Sequence, residues 1–354
     1  MVPVVDLARR GRALADAIGA IASSVAASGS YLLGDETRGL EKELSGWSGG
    51  AHAVAVGSGA SALQLALAAV GVSAGDEVIV PAFTAVPTAS AVAALGAVPV
   101  PVDVLADTAA LDPDLVEAAR TKRTRAVIVV HLYGRPADLP DTDLAIVEDA
   151  AQAHGALSDP SRSAATIYSF YPTKNVGGIG DGGAVITDRA DIADAVRLLR
   201  VHGMTEQYVH TAVSQNFRMS ELEAAWLRVA LAQLAAGNER RRWISARYRA
   251  AAPDLRWQDD HPDHVHHLAV VRTTDRDGFR AALQRAGVAT AVHYPLAITQ
   301  QPGYRHLTRT PCPQAHAWAA ECVTVPCFPE LTDREVDIVA AALAQLSTSE
   351  ASAS

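Results

Sequence analysis

Lysine is nearly missing from this chain of 354 residues: three occur, against 27 arginines. Positive charge is short overall, since 30 basic residues face 39 acidic ones and leave a formal net charge of −9. Nonspecific nucleic-acid binding needs a basic surface to displace counterions, so that class is excluded. Cysteine is scarce as well. Cys312, Cys322 and Cys327 are odd in number, clustered late and without the paired spacing of a zinc site, which fits a reduced, cytoplasmic setting and no metal. A basic, then apolar, then small-residue leader is not expected, because Arg9, Arg10 and Arg12 come after only a short Val/Pro start. Residues 53–75 lack charge altogether, but Gly57, Ser58, Gly59, Ser61 and Gln64 interrupt the run. A buried strand, turn and helix explains it better than a membrane span.

Hydrophobic residues make up 49% of the chain and charged ones 19%, a globular balance. The length predicts two domains sharing an interface: a large one over 1–238 and a small one over 239–354, with an N-terminal helix that packs on the small domain. Leu7, Leu14, Ile18, Ile21 and Val25 recur at helical spacing, so one amphipathic helix is expected over 6–27, and a short second one over 37–47. Seven short runs, 53–56, 78–81, 98–102, 126–132, 144–147, 165–170 and 183–187, then alternate mostly with helix-like or turn-like segments. The pattern predicts an α/β fold with a mainly parallel seven-stranded sheet and helices on both faces, whose ligands collect at the carboxyl ends of the strands. A continuous helix over 220–252 leads to a smaller α+β C-terminal domain. Its expected strands lie near 267–272 and 290–293, its helices near 275–286 and 333–346, and a frayed tail covers 347–354.

Two of the lysines, Lys42 and Lys122, sit beside other charged residues and read as solvated. Lys174 has no charged neighbour closer than Asp181, and comes after an apolar, aromatic run that stops at Pro172. Five glycines fall within the seven residues from Gly177 to Gly183, so the amine stands on a bend. Lysine, unlike arginine, can lose its proton and attack a carbonyl. Schiff-base chemistry is one reading, and a loop lysine that binds phosphate or solvent is the other.

Two further constellations belong to the same sheet edge. In Val56-Gly-Ser-Gly-Ala-Ser61 the glycines let backbone approach an anion, and the helix beginning there aims free N–H groups at it, so Gly59, Ala60 and Ser61 form a phosphate cup. The same residues match a dinucleotide pattern, but Asp76 and Glu77 stand at the wrong end of the second strand to hold a ribose. Glu148 and Asp149 end the apolar strand at 144–147 and point to opposite faces. Asp149 suits a cation, a metal or a protonated ring nitrogen, or simply an N-cap for a helix starting after it. An anion cup, an acid and an amine at one edge are what pyridoxal phosphate requires: it has a phosphate, a ring nitrogen that must stay protonated, and an aldehyde.

These residues resemble the DegT/DnrJ/EryC1/StrS family of sugar aminotransferases, pyridoxal-phosphate enzymes of fold type I. The matching motifs run in family order: Gly75-Asp-Glu-Val-Ile-Val-Pro81, Val130-His-Leu-Tyr-Gly134, Glu148-Asp-Ala-Ala-Gln-Ala-His-Gly155, Ser169-Phe-Tyr-Pro-Thr-Lys-Asn175, Gly180-Asp-Gly-Gly183 and Asn216-Phe-Arg-Met-Ser220. The resemblance covers nearly the whole chain. It implies Lys174 as the residue that condenses with the cofactor and then acts as base, Asp149 as the partner of the ring nitrogen, and Gln152 beside the ring. It further implies that Ala60, Ser61 and Ser169 hold the phosphate, with Asn216 reaching in from the second subunit of a homodimer. The ring-stacking aromatic of relatives is here Ala85, which leaves Phe83 or another side chain to cover the ring. Relatives often read Tyr-Pro-x-Pro-x-His where this chain has Tyr294-Pro-Leu-Ala-Ile-Thr299, a departure that bears on acceptor recognition. Tyr133, His154, Arg218 and His293 are candidate substrate contacts. The implied reaction moves an amino group from glutamate or glutamine to a keto sugar, nucleotide-linked, or to a keto cyclitol, with no nucleic-acid or membrane partner. Rival readings are a dehydrating or aromatising enzyme of the same family and a non-catalytic regulatory protein on this fold.

Overall fold

The computed structural model describes residues 1–156 and 162–351. Its centre is a sheet of β1 (His52–Val56), β2 (Glu77–Pro81), β3 (Val98–Val102), β4 (Thr124–Val130), β5 (Ala145–Asp149), β6 (Ala165–Ser169) and β7 (Gly183–Thr187). The order across it is β1-β7-β6-β5-β4-β2-β3, and β7 alone runs against the other strands. All seven expected runs form strands of this one sheet. The helices before and around it are α1 (Leu7–Ala13), α2 (Ala15–Ser28), α3 (Asp35–Ser48), α4 (Gly59–Ala69), α5 (Val86–Ala94), α6 (Val116–Ala119) and α7 (Ala190–Leu199).

Side-chain alternation along each strand sorts two faces. Val54, Val56, Val78, Val80, Ile128 and Val185 pack with Leu63 of α4, Val92 of α5 and Ile192 of α7. On the other face, Ala55, Tyr168 and Ile186 meet Leu40 of α3 and Trp226 and Leu227 of α8 (Glu221–Ala232), while Ile79, Val100 and Val129 meet Val116 of α6. Each such Val, Ile or Leu stabilises the fold by roughly 1.5–3 kcal/mol on burial. The strands therefore read as nearly unbroken apolar runs, because neither face meets water.

A hairpin, β8 (Met204–Glu206) and β9 (Val209–His210), precedes α8 and is exposed. The expected helix over 220–252 is two: α8 ends at Gln233 and α9 (Leu234–Ala251) continues into a second core. There Ile244 and Tyr248 pack with β11 (Ala269–Arg272), α10 (Arg276–Arg285), β12 (Cys322–Val325) and α12 (Asp333–Ala351). β10 (Arg256–Trp257) completes that antiparallel sheet, and α11 (Pro313–Glu321) precedes β12. The break falls where α8, bound to the large sheet, hands over to a helix bound to the small one.

Other expectations needed correction. The helix over 6–27 is divided at Leu14. Residues 290–293 form no strand but a single bridge, Ala291 to Thr324, and the strand there is β12, a short run directly behind a helix. The last helix continues through Ala351 and 352–354 lie outside the described residues, so the frayed tail was drawn too long. The two cores also interleave: Val2 belongs to the small one, while Ala297 and Trp318 belong to the large one. Among the described residues no helix is long and apolar enough to cross a membrane.

Candidate active site

Since β1, β4, β5 and β6 all run the same way, their carboxyl ends bring residues 57–61, 131–133, 149–152 and 169–174 to one edge. At the end of β5 the two acids part as the pleat demands. Glu148 enters the far face, where His131 Nε2 lies 2.9 Å away and Thr166 donates at 3.3 Å. Although burial works against it, those bonds hold its carboxyl below the usual range. Glu148 is thus a structural hydrogen-bond partner.

Asp149 is buried at the site edge. Its Oδ2 accepts from Thr88 Oγ1 at 3.1 Å and its Oδ1 from the Ala151 amide at 3.1 Å. The latter closes a local turn, and no helix comes directly after it, so the N-cap reading falls away. Burial raises its pKa, while the Ala151 amide, the charge on Lys174 and the Thr88 hydroxyl oppose the rise. A carboxylate so placed has room, electrostatically, for another cation.

The anion cup forms at the start of α4. Ser58 caps the helix, accepting from the Ser61 amide at 3.0 Å with its Oγ 2.8 Å from Ser61 Oγ. Gly59 packs so closely on β6 that a Cβ there would lie 2.5 Å from Ser169 Cβ. A Cβ at Gly183 would meet the Ser58 carbonyl at 2.3 Å. These two glycines bring the positive end of α4 and Ser169 together, as phosphate binding requires.

Lys174 sits on a braced bend. Its amide donates to Tyr171 O at 2.8 Å, Gly178 N donates to Phe170 O at 2.7 Å, and Trp226 Nε1 donates to Gly177 O at 2.9 Å. From α1, Arg10 donates to Pro172 O at 2.7 Å. Lost hydration lowers the lysine pKa to about 8, against the pull of Asp149, so much of the amine is unprotonated under mildly basic conditions. The glycines close on Glu223 of α8: a Cβ at Gly178 would fall 1.7 Å from its Oε1. Burial raises Glu223 to about 7, although the amides of Gly180 and Ile179 favour its charged form.

A cavity of about 240 Å³ opens beside Lys174, lined also by Gln152, Arg241, His267, His293 and Tyr294. Gln152 is held at both ends, accepting from the Tyr133 amide at 2.6 Å and donating to Tyr294 Oη at 3.0 Å. The Tyr133 hydroxyl donates to the His293 carbonyl, and Tyr133 is fully buried, so it supports the site rather than facing substrate. His154 is also fully buried, with its ring against Tyr168 and Phe170, and the expected substrate contact does not arise. Phe83 is equally enclosed, stacked on Trp318 with centroids 6.0 Å apart, so it is not free to cover a ring. Ala85, half-buried, is the residue just before α5. Asn216 and Arg218 lie on an exposed stretch and bond each other, Nε to Oδ1 at 2.9 Å. Thr299, where relatives carry histidine, is buried against His316 Nε2 at 2.8 Å and does not line this cavity.

Sequence reasoning missed Thr88, Arg241 and His267 as neighbours of the chemistry. The one available signal was a histidine directly before an apolar run at 268–271. The residues at this edge fit pyridoxal phosphate: a glycine cradle at a helix start for the phosphate, a buried acid for the ring nitrogen, and a lysine of lowered pKa.

Comparison with known proteins agrees with that fit. The model of the DegT/DnrJ/EryC1/StrS aminotransferase family matches residues 14–344. The chain is 42% identical over 348 residues to a dTDP-3-amino-3,4,6-trideoxy-alpha-D-glucose transaminase of Streptomyces venezuelae, covering 93% of this chain and 92% of that one. It is 39% identical to a UDP-N-acetyl-3-dehydro-alpha-D-glucosamine 3-aminotransferase of Acidithiobacillus ferrooxidans, covering 96% of each. It is also 42% identical to the erythromycin biosynthesis sensory transduction protein EryC1 of Saccharopolyspora erythraea, covering 97% and 98%. Among solved structures, DesV of S. venezuelae superposes with a TM-score of 0.91 at 39% identity, covering 98% of both chains. NtdA of Bacillus subtilis, solved with bound cofactor PMP, gives 0.91 at 28% identity, covering 98% of this chain and 85% of that one. The chain belongs to the DegT/DnrJ/EryC1/StrS aminotransferase family.

Proposed function

We propose that this protein, a pyridoxal-phosphate-dependent aminotransferase, takes nitrogen from glutamate or glutamine and places it on the 3-keto group of a nucleotide-linked sugar. The carrying observation is Lys174, lowered to about 8, at the same edge as the buried Asp149 and the Gly59–Ser169 cradle. When bound, the cofactor supplies an aldehyde that takes up nitrogen and a ring that draws electrons from the substrate carbon. Asp149 keeps a proton on the ring nitrogen. Lys174 Nζ gives or takes the proton at the carbon that gains or loses nitrogen. Gln152, Ala60, Ser61 and Ser169 position and anchor.

The 3-keto position is inferred from the two transaminases above, whose names both place the amine at carbon 3. A homodimer is supported by exposed apolar side chains, including Tyr31, Tyr171, Ile179, Tyr208 and Val213, and by the exposure of Asn216, which then serves the partner's site. The three cysteines are buried and unpaired, in keeping with a cytoplasmic enzyme. A regulatory role would leave Lys174 without need of a lowered pKa. The test is Lys174→Ala: it should abolish amine transfer and borohydride trapping of the cofactor, and near-normal turnover would refute the proposal.

A further inference from the structure

The cavity beside Lys174 has an unusual charge balance. No acidic side chain lines it, while Lys174, Arg241, His267 and His293 all do. Arg241 is buried, and its Nη1 donates to the backbone carbonyls of His266, His267 and Cys327. It pairs with no carboxylate among the described residues. An enclosed guanidinium answered by carbonyl dipoles, and by Glu330 only through its charge and not by contact, is incompletely compensated, and an arriving anion would complete it.

The two imidazoles are set up as well. Asn175 Nδ2 donates to Asn238 Oδ1 at 2.8 Å and to Val265 O at 3.3 Å, while Asn238 Nδ2 donates to His154 O at 2.7 Å. This orients the Asn175 amide, so its Oδ1, 3.1 Å from His267 Nδ1, must accept. His267 therefore carries its proton on Nδ1 and leaves Nε2 as the basic nitrogen. His293 is held through Nδ1 by Thr324 Oγ1 at 2.8 Å. Burial keeps His267 unprotonated, aided by the charges of Lys174 and Arg241 and the nearby rings of His154 and His293. Tyr294 Oη, which accepts from Gln152, still has its own proton to donate.

The volume sets a limit on the guest. About 240 Å³ lies below the ~300–1,000 Å³ that drug-sized ligands occupy, and Lys174 and Gln152 on its wall also serve the cofactor, so the space left suits a small acid and not a nucleotide. The neighbouring groove of about 590 Å³, which shares Lys174 and Arg241, is lined also by Asp6 and Glu330 and lacks this one-signed character.

We propose that this cavity is the carboxylate subsite of the amino donor, with Arg241 as the fixed cation and His267 as a second, protonatable contact, so that the donor and the nucleotide of the acceptor occupy different places. The assignment rests on the aminotransferase reading and adds to it where the donor sits.

Glutarate, a dicarboxylate with neither amine nor carbonyl to react, is the probe. Titrated calorimetrically into the holoenzyme in two buffers of different ionisation enthalpy, it should bind saturably with net proton uptake. The uptake arises because the anion stabilises the imidazolium forms of His267 and His293, offsetting their burial and the fixed charge of Arg241. Glutarate should also compete with the amino acid in the donor half-reaction. Arg241→Gln should weaken glutarate by about tenfold or more. His267→Asn, which retains a donor toward Asn175 but lacks Nε2, should lose much of the proton uptake while still binding. Because Arg241 also holds three carbonyls, the wild-type competition and proton uptake stand as tests even if that variant fails to fold. No glutarate binding, or binding indifferent to both substitutions, would overturn the assignment. A donor half-reaction that proceeds without glutarate competition removes this subsite and leaves the aminotransferase; absence of any half-reaction removes both.

Discussion

Gly59 is the most sharply constrained position in the site, and replacing it by alanine tests the anion cradle directly. The added methyl would lie 2.5 Å from Ser169 Cβ, 2.9 Å from its Oγ and 3.1 Å from its Cα. Carbon atoms rest at about 3.5–4.0 Å, so α4 and β6 must part by about 1 Å. Overpacking of this kind costs about 1–3 kcal/mol, read as an apoenzyme Tm lowered by a few degrees. Separation also pulls the α4 amides from Ser169, and losing one charge-assisted bond of ~1.5–3 kcal/mol raises the cofactor Kd about 10–150-fold. The stabilisation that cofactor brings, ~2.7 kcal/mol at a hundred times Kd, then falls by about 1.4 kcal/mol for each tenfold loss of affinity. Thermal melts with and without cofactor, together with a fluorescence titration, give both numbers. Gly46→Ala is the control: it lies inside α3 with open space around it, so the change should be neutral or stabilising by up to about 1 kcal/mol. A Gly59→Ala protein with unchanged apo Tm and unchanged cofactor affinity would refute the cradle.

Asp149→Ala should lower turnover by about a hundredfold or more while the phosphate-anchored cofactor still binds, checked by steady-state kinetics beside a binding titration. Because Lys174 is lowered from 10.5 to about 8, the rate at which apoenzyme combines with pyridoxal phosphate should rise with pH through an inflection near 8 and level off above it; an inflection near 10.5 would contradict the burial argument. Glu223 is raised from 4.5 to about 7, so the native state holds more protons than the unfolded one across that window and its ionisation costs stability as pH rises. Glu223→Gln removes this cost: its stability relative to wild type should grow between pH 4.5 and 7, by on the order of 3 kcal/mol, and stay level above. Denaturant melts at several pH values measure it. His131→Ala removes one of the hydrogen-bond partners of the buried Glu148 and should cost about 1–3 kcal/mol, with the cofactor's absorbance unchanged.

The strands were legible because each is buried on both faces and so reads as an apolar run bounded by turns. Breaks in helices were not. Nothing at Leu14 or Gln233 resembles proline or glycine; α8 and α9 separate because they serve two different cores. Scarcity made Lys174 visible, and its place on a bend came from Pro172 and the glycines. Phe83 and His154 misled, since an aromatic or imidazole beside a motif carries no mark of which way it is buried.

Residue order alone decided that a cup, an acid and an amine each end or follow a strand of one sheet, because side-chain alternation and chain direction are local properties. Tertiary structure decided the rest. Which of Glu148 and Asp149 faces the site depends on what each face of β5 meets, the lowered lysine pKa depends on lost hydration, and the acid-free cavity brings together Lys174, Arg241, His267 and His293 from distant parts of the chain. Hydration and charge proximity are properties of the packed molecule, so no reading of the strands one by one could supply them.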